Sequence, residues 1–403
     1  MKKRQLTPNR IIATITLFLL LTVDAGFYSI EKIGGTVRLI IVGAAIFFLV
    51  ITRLQKTVLS NAFFSHLKRT FLVFVISLIL PIIYGGYNIK QMIIMLAAWG
   101  IGYLFTLFVS YQEFKDTFIS IILFLAVFSL ATFVLGVILP GLIELLPTIE
   151  KNGTTYYNVI FSVVSGSKFV TRNFGIFWEP GAFSIYLNIA LYLELFENKF
   201  NIKRILLLAI TVLTTVSTLG IVCMVILFAV FLTTDKEVSS SRIKGLVVTA
   251  GAFGLILLIL YGGDYIYHAF NKLDMSGTTI NESTAVRINA IVYPGSAFLE
   301  NPILGVGYDD YLFIQERFCQ DMATCSFINW LCLFGLVGGL IPIIGCIRFF
   351  TVNNHGMLTN FALFIFTLIL FSTENFIQLI FIYIILFLGF NKRSKKKLIN
   401  KLV

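Results

Sequence analysis

Residues 205–234 read ILLLAITVLTTVSTLGIVCMVILFAVFLTT, a run without a single charge, and how this run folds decides the topology of the whole chain. Lys199, Lys203 and Arg204 stand before it, and Lys236, Arg242 and Lys244 stand after it. A bilayer is crossed by about 20 apolar residues. One tilted helix would put the two basic clusters on opposite sides of a membrane. A tight hairpin at Ser217-Thr218-Leu219-Gly220 keeps them together, as the cytoplasmic bias of lysine and arginine requires. The hairpin is therefore expected, with arms near 205–217 and 220–234. Each arm is shorter than a full span, so the turn must be buried in protein or line a water-filled cavity.

The rest of the chain reads the same way. Of its 403 residues, 58% are hydrophobic and only 13% charged, against about 25% charged in a soluble domain. The net charge of +11 does not mark a nucleic-acid binder, because the basic residues cluster in short segments between apolar runs. Lys2, Lys3, Arg4 and Arg10 lie at one end of the chain, and Lys392, Arg393, Lys395, Lys396, Lys397 and Lys401 at the other. No small-residue cleavage site follows the first apolar run, which reads as an uncleaved anchor. Spans are expected at 11–28, 37–52, 71–88, 91–109, 117–139, 181–196, 205–217, 220–234, 245–262, 325–346, 357–371 and 375–390. The expectation is an all-α polytopic membrane protein, a single domain over 1–403 with about 12 transmembrane helices and both termini cytoplasmic. Two outward loops exceed a turn, at about 140–180 and 263–323. The second is acidic: Asp264, Asp274, Glu282, Glu300, Asp309, Asp310, Glu316 and Asp321 stand against Lys272, Arg287 and Arg317. His66 and His355 are expected in cytoplasmic loops. Cys223, Cys332 and Cys346 read as small core residues. Cys319 and Cys325 lie close enough in an outward loop for a disulfide if the compartment is oxidising.

Arg172-Asn173-Phe174-Gly175-Ile176-Phe177-Trp178-Glu179-Pro180-Gly181 joins the first outward loop to an apolar helix. Ionisable groups at a membrane boundary are costly and mark functional sites. Pro180 suits a first helical turn, and Glu179 there complements the helix dipole. A capping Glu179 and an Arg172 reaching for lipid headgroups would account for both residues without function. Further on, a helix bearing Arg287 is expected to stop at Asn301-Pro302, followed by Gly305 and Gly307, where the backbone can turn or approach closely. A plain surface helix stop is the bland alternative there. Two outward arginines without obvious acidic partners suit an anionic ligand, since the guanidinium fork matches phosphate oxygens. A polyprenyl diphosphate lipid fits an outer membrane face.

In their order, the Arg-x-x-Gly…Glu-Pro-Gly segment at 172–181, the Ser-Thr-x-Gly turn at 217–220, Arg287, and Asn301-Pro302-Ile303-Leu304-Gly305-Val306-Gly307 resemble the Wzy-type O-antigen and capsule repeat-unit polymerases of the O-antigen polymerase and ligase superfamily. The resemblance covers most of the chain from about 170 to 390. It implies a GT-C-like glycosyltransferase in a bacterial inner membrane, using neither nucleotide sugar nor metal. Undecaprenyl-diphosphate-linked glycans would be donor and acceptor, with a chain-length regulator and a flippase as neighbours. Arg172 and Arg287 would bind the diphosphate, and Glu179 would either take the proton of the attacking hydroxyl or orient Arg172. Asn173, Trp178, Asn301, Gly305, Gly307 and Tyr308 would contact substrate. The ligases' histidine-asparagine pair has no counterpart at Thr324-Cys325-Ser326-Phe327, which favours polymerase over ligase. A lipid-linked oligosaccharide flippase or other transporter, and an assembly protein without chemistry, are the competing classes.

Overall fold

A computed structural model describes residues 8–58, 61–83, 89–151, 154–166, 172–234, 282–319, 324–351, 356–372 and 374–392. The expected span at 245–262, His268 and His355 lie outside the described residues. Helix α1 (Pro8–Leu19) continues through a π-helical turn, Leu20–Asp24, and breaks at Ala25-Gly26. Then come α2 (Phe27–Lys32), α3 (Gly35–Val58), α4 (Asn61–Ile83), α5 (Ile89–Phe108) and α6 (Tyr111–Ile138). A single turn, α7 (Pro140–Ile143), leads to strands β1 (Thr148–Lys151), β2 (Thr154–Asn158) and β3 (Val163–Ser165). The later helices are α8 (Pro180–Phe196), α9 (Ile202–Thr214), α10 (Thr218–Thr234), α11 (Glu282–Glu300), α12 (Tyr308–Phe318), α13 (Ser326–Thr351), α14 (Met357–Leu370) and α15 (Ile380–Asn391).

Three helical stretches among the described residues are long and apolar enough to cross a membrane: Gly35–Leu54, Tyr111–Ile138 and Ser326–Thr351. Shorter apolar helices accompany them, α8, α14 and α15 included. The brevity of α15 has a physical reason. Its 12 residues rise about 18 Å, well short of a hydrocarbon core of about 30 Å. Yet Ile380 through Gly389 are all buried, so the helix is wrapped in protein on every side. Trp99 and Tyr103 pack their rings on its Phe387, edge-on at 6.3 Å and tilted at 4.9 Å respectively. Without a hydrophobic drive between helices in lipid, such close packing is what holds a bundle together.

The thirty-residue apolar run is a hairpin. Helix α9 ends at Thr214 and α10 starts at Thr218, so the turn falls at 215–217, includes Val216 at φ 49°, and leaves Thr218, Leu219 and Gly220, expected in the turn, inside α10. At one extreme Arg204 pairs with Glu194 at 2.9 Å, and Phe231 packs on Phe196 and Phe200. At the other, Ser184 Oγ donates to Ser217 Oγ at 3.3 Å, and Asn188 Nδ2 to the Gly220 carbonyl at 3.0 Å. Thus α9 runs against α8 and α10 returns alongside it, so the two ends of the run, at Arg204 and Phe231, come to the same end.

That end carries the fixed charges. Arg53 grips Glu113 through two bonds of 2.8 and 2.7 Å and the Phe108 carbonyl at 3.0 Å. Lys115 donates to the Glu197 carbonyl, and Lys392 pairs with Glu197. Arg10 lines a groove with Asp116 and Arg204, so the described chain termini meet at this basic end. The opposite end carries the strands.

An all-α chain was the expectation, and the loop at about 140–180 departs from it. Residues 148–165 form an antiparallel sheet in the order β1-β2-β3. Thr154, Thr155, Tyr156, Tyr157, Val163 and Val164 are residues that suit a pleated, half-buried surface. Phe27, Ile149, Val163 and Phe174 form a small core of their own beneath it. His66 also departs from expectation. It stands within α4, buried, 3.3 Å from Thr106 Oγ1. The last span begins at Ile380 rather than 375, leaving Glu374–Leu379 as a loop. Cys319 and Cys325 are free thiols, directed to the Asn289 carbonyl and the Ser372 hydroxyl respectively.

Candidate functional site at the sheet end

Residues 172–179 cross the sheet end as an irregular strap. Asn173 is its anchor. The Asn173 amide nitrogen donates to the Thr214 carbonyl at 3.0 Å, Nδ2 reaches Thr214 Oγ1 and Ser129 Oγ, and Oδ1 accepts from Gly175 N. Gly175 N–H is thereby used, and its φ of 54° follows from the turn. Arg172 lies one residue before. Its Nε donates to the Thr215 carbonyl at 3.1 Å and Nη2 to the Val216 carbonyl at 3.2 Å. A β-branched residue at positive φ is strained, and these two bonds clamp Val216 from both sides. Phe27 N then bonds the Ile176 carbonyl at 2.8 Å, tying the strap to α2.

Glu179 is the N-cap residue of α8, in extended backbone, and its side chain makes no capping bond. Pro180 occupies the first helical turn. Gly181 has no side chain, and two carboxyl groups converge where one would be. A Cβ there would stand 2.8 Å from Glu374 Oε1 and 3.3 Å from Glu179 Oε1. Glu374 was not singled out by the sequence, though one signal was present. It is an ionisable residue in the short Ser372-Thr373-Glu374-Asn375 link between two apolar runs, the setting in which a charge is expensive.

The loop after Glu374 is a junction. Trp178 Nε1 donates to Glu374 Oε2 at 3.3 Å, Asn375 Nδ2 to Tyr311 Oη at 3.3 Å, and Gln378 Nε2 to Tyr308 Oη at 2.9 Å. Ser326 Oγ donates to the Glu374 carbonyl at 2.7 Å and accepts from Phe376 N at 2.9 Å. Burial pushes the Tyr308 phenol up, partly offset by the Gln378 bond, and pushes that of Tyr311 well above its ordinary value. Both therefore stay neutral hydroxyls. The loop thus joins the strap at 172–179 to α12.

Gly305 and Gly307 serve a different contact. Helix α13 breaks at Gly335, where φ is 57° and ψ −158°. Val306 N and Gly307 N donate to the Cys332 and Leu333 carbonyls at 2.8 and 3.1 Å, and Leu336 N and Val337 N donate to the Pro302 and Ile303 carbonyls at 2.8 and 3.2 Å. Residues 302–307 thus satisfy the groups freed on both sides of the break. A Cβ on Gly305 would stand 2.5 Å from Gly335 N. Asn301 caps the preceding turn, its carbonyl accepting from Gly305 N at 2.8 Å. Arg287 falls on α11, and its side chain lies outside the described residues.

Beside the junction opens a cavity of about 440 Å³. Arg38, Lys90, Lys151, Trp178, Asn375 and Gln378 are among its walls. Asp24 also lines it, but Asp24 Oδ2 accepts from Ile380 N at 2.7 Å and so caps α15. Arg38 Nη1 donates to the Asp24 carbonyl at 2.9 Å. Lys151 pairs with Glu31 at 2.5 Å. Arg38 and Lys90 each sit in the first turn of a helix, α3 and α5. Cations there oppose the helix dipole, at a cost of about 0.3–1 kcal/mol each. Helix stability does not explain their placement.

Fold and cavity define a helical membrane protein with a cation-lined recess at one end of its bundle. No family model matches the chain, and no curated protein matches it.

Proposed function

We propose that this chain is a bacterial inner-membrane glycosyltransferase that polymerises undecaprenyl-diphosphate-linked repeat units into a surface polysaccharide. The observation that carries the reading is the junction at 374–378. It bonds Trp178, in the segment that holds Arg172 and Glu179, to the loop that receives Tyr308 and Tyr311. The two segments on which the family resemblance rests therefore share one end of the bundle with a cation-lined recess. In this reading the sheet end faces outward, the basic end is cytoplasmic, and about twelve spans complete a GT-C-like domain.

The reaction follows from the roles of the side chains. An acceptor sugar hydroxyl attacks the anomeric carbon of the donor glycan. The bond from that carbon to the diphosphate oxygen breaks, and undecaprenyl diphosphate leaves with the electron pair. Arg172 and Arg287 stabilise the charge developing on the diphosphate. The hairpin tip fixes the plane of the Arg172 guanidinium for this task. Glu179, at the Gly181 corner beside Glu374, takes the hydroxyl proton. A chain-length regulator and a flippase are the expected membrane neighbours.

The test is the glycan ladder of cells carrying Arg172→Ala or Arg287→Ala, with membrane levels checked by immunoblot. Both variants should insert normally and lose long-chain glycan. Normal ladders from both would remove the diphosphate assignment. Glu179→Gln should cut chain extension about a hundredfold or more, within the usual range for a general base. Substantial extension in that variant would remove proton transfer from Glu179.

A further inference from the structure

The cavity beside the junction carries more than the proposed reaction uses. Its three cations, Arg38, Lys90 and Lys151, come from three separate elements, α3, α5 and β1. The first turns of α3 and α5 lie on its wall, and the positive ends of their helix dipoles add to the potential of the side chains. Asp24 is the acidic residue among the lining groups, and it is engaged with the start of α15. Arg38 Nε is buried with no acceptor among the described residues. The recess therefore favours an anion.

Its other walls do not suit a bare phosphate. Trp178 offers an indole, whose flat apolar face accepts the C–H face of a sugar ring. Thr36 supplies a hydroxyl to the wall. Gln378 commits its amide nitrogen to Tyr308, which leaves a carbonyl oxygen able to accept from a hydroxyl. Cations, a stacking surface and a hydroxyl acceptor in one recess match a polyhydroxylated ring bearing a negative group. The volume lies within the range of small-molecule sites, about 300–1,000 Å³.

We infer that this cavity is a subsite for an acidic sugar residue of the glycan, its carboxylate held by Arg38 and Lys90, with Lys151 shared with Glu31 beside them, and its ring set against Trp178. The inference rests on the polymerase reading only for the source of the sugar. It makes the repeat unit an anionic one, and it separates glycan recognition here from diphosphate binding at Arg172.

The test uses the full chain in detergent micelles and the tryptophan fluorescence of the protein. The chain has three tryptophans, and Trp99 and Trp330 are buried at 1% and 0% exposure, so a saturable change reports Trp178. The probes are a hyaluronan tetrasaccharide, which carries two glucuronates, neutral maltotetraose, and inorganic pyrophosphate. The hyaluronan tetrasaccharide should bind at least about tenfold tighter than maltotetraose, as expected for hydrogen bonds to a charged group. Trp178→Phe should erase the signal. Lys90→Ala should weaken binding about tenfold, and the exposed position of Lys90 makes this variant safe for folding where Arg38→Ala is not. Three results would overturn the inference: equal affinity for the two tetrasaccharides, binding of pyrophosphate alone, or no effect of Lys90→Ala. The binding assay needs no turnover. Loss of the ladder in Arg172→Ala together with failed tetrasaccharide binding would sink the subsite and keep the polymerase reading. The reverse pair of results would do the opposite.

Discussion

At Gly181 one missing methyl group decides what two distant side chains can do. Glu179 lies two residues away and Glu374 on the far side of the chain, and both carboxyl groups occupy the space a Cβ would take. Gly181→Ala should be tolerated by the fold, because the ends of flexible side chains can yield. Melting in detergent should shift by less than about 1 kcal/mol in stability, in the range of mild substitutions. Chain extension should nevertheless fall about tenfold or more, since small misplacements at a reacting centre are costly. A variant with full-length glycan would show that the corner does no chemistry. How much of this was readable beforehand is instructive. Trp178 and Glu179 stood out because charge and indole meet proline where an apolar helix starts. Glu374 did not, because its neighbours come from a contact 196 positions away, and no local pattern encodes that. The cavity cations were hidden for the same reason. Arg38, Lys90 and Lys151 lie in unrelated segments, each unremarkable alone.

Among the elements, α13 is a helix in two pieces joined by another segment. Gly335 sits in a backbone region open essentially only to glycine, and Gly305 packs against it. Gly335→Ala should lower stability by about 3 kcal/mol, from strain of about 1–3 kcal/mol and from collision with the backbone of 303–304. A thermal-unfolding curve in micelles measures this, and an unchanged midpoint would contradict the docking described. The Gly-x-Gly pair at 305–307 was legible as a place of close backbone approach. What approaches it was not, since the sequence suggested substrate and the structure supplies α13. The hairpin at 215–217 fared differently. Charge bias along the chain is a global constraint, so the basic flanks of the apolar run were enough to require a turn. The sheet at 148–165 was lost to the opposite circumstance: three short strands in a loop leave only weak periodicity.

On the scale of the whole molecule, the basic end is the one laced by ion pairs. Lys392 is buried among the rings of Tyr111, Tyr192 and Phe349, at 5.2, 5.4 and 5.3 Å, while it pairs with Glu197. It links α15 to α6, α8 and α13. Lys392→Ala removes the cation from the buried Glu197, which keeps the Tyr192 hydroxyl at 3.4 Å, and breaking such a pair costs about 3–5 kcal/mol. Adding Glu197→Gln should recover most of that loss, so the double variant should melt close to the parent. No recovery would mean that the pair is not what joins these helices. The sheet end, by contrast, is held by backbone ladders and neutral side-chain bonds around an open recess, with Lys151–Glu31 as its ion pair among the described residues. One feature bears on how the molecule is made. During synthesis, residues 205–234 emerge from the ribosome as one uninterrupted greasy segment, and the lysines and arginines at its two ends turn it back. Arg172 and Asn173 have already been translated by then. By bonding the carbonyls at 214–216, they hold shut the turn that the basic flanks impose. The flanking charges set the number of crossings and these bonds lock the turn in place, so Arg172→Ala still inserts correctly while Asn173 keeps the tip closed.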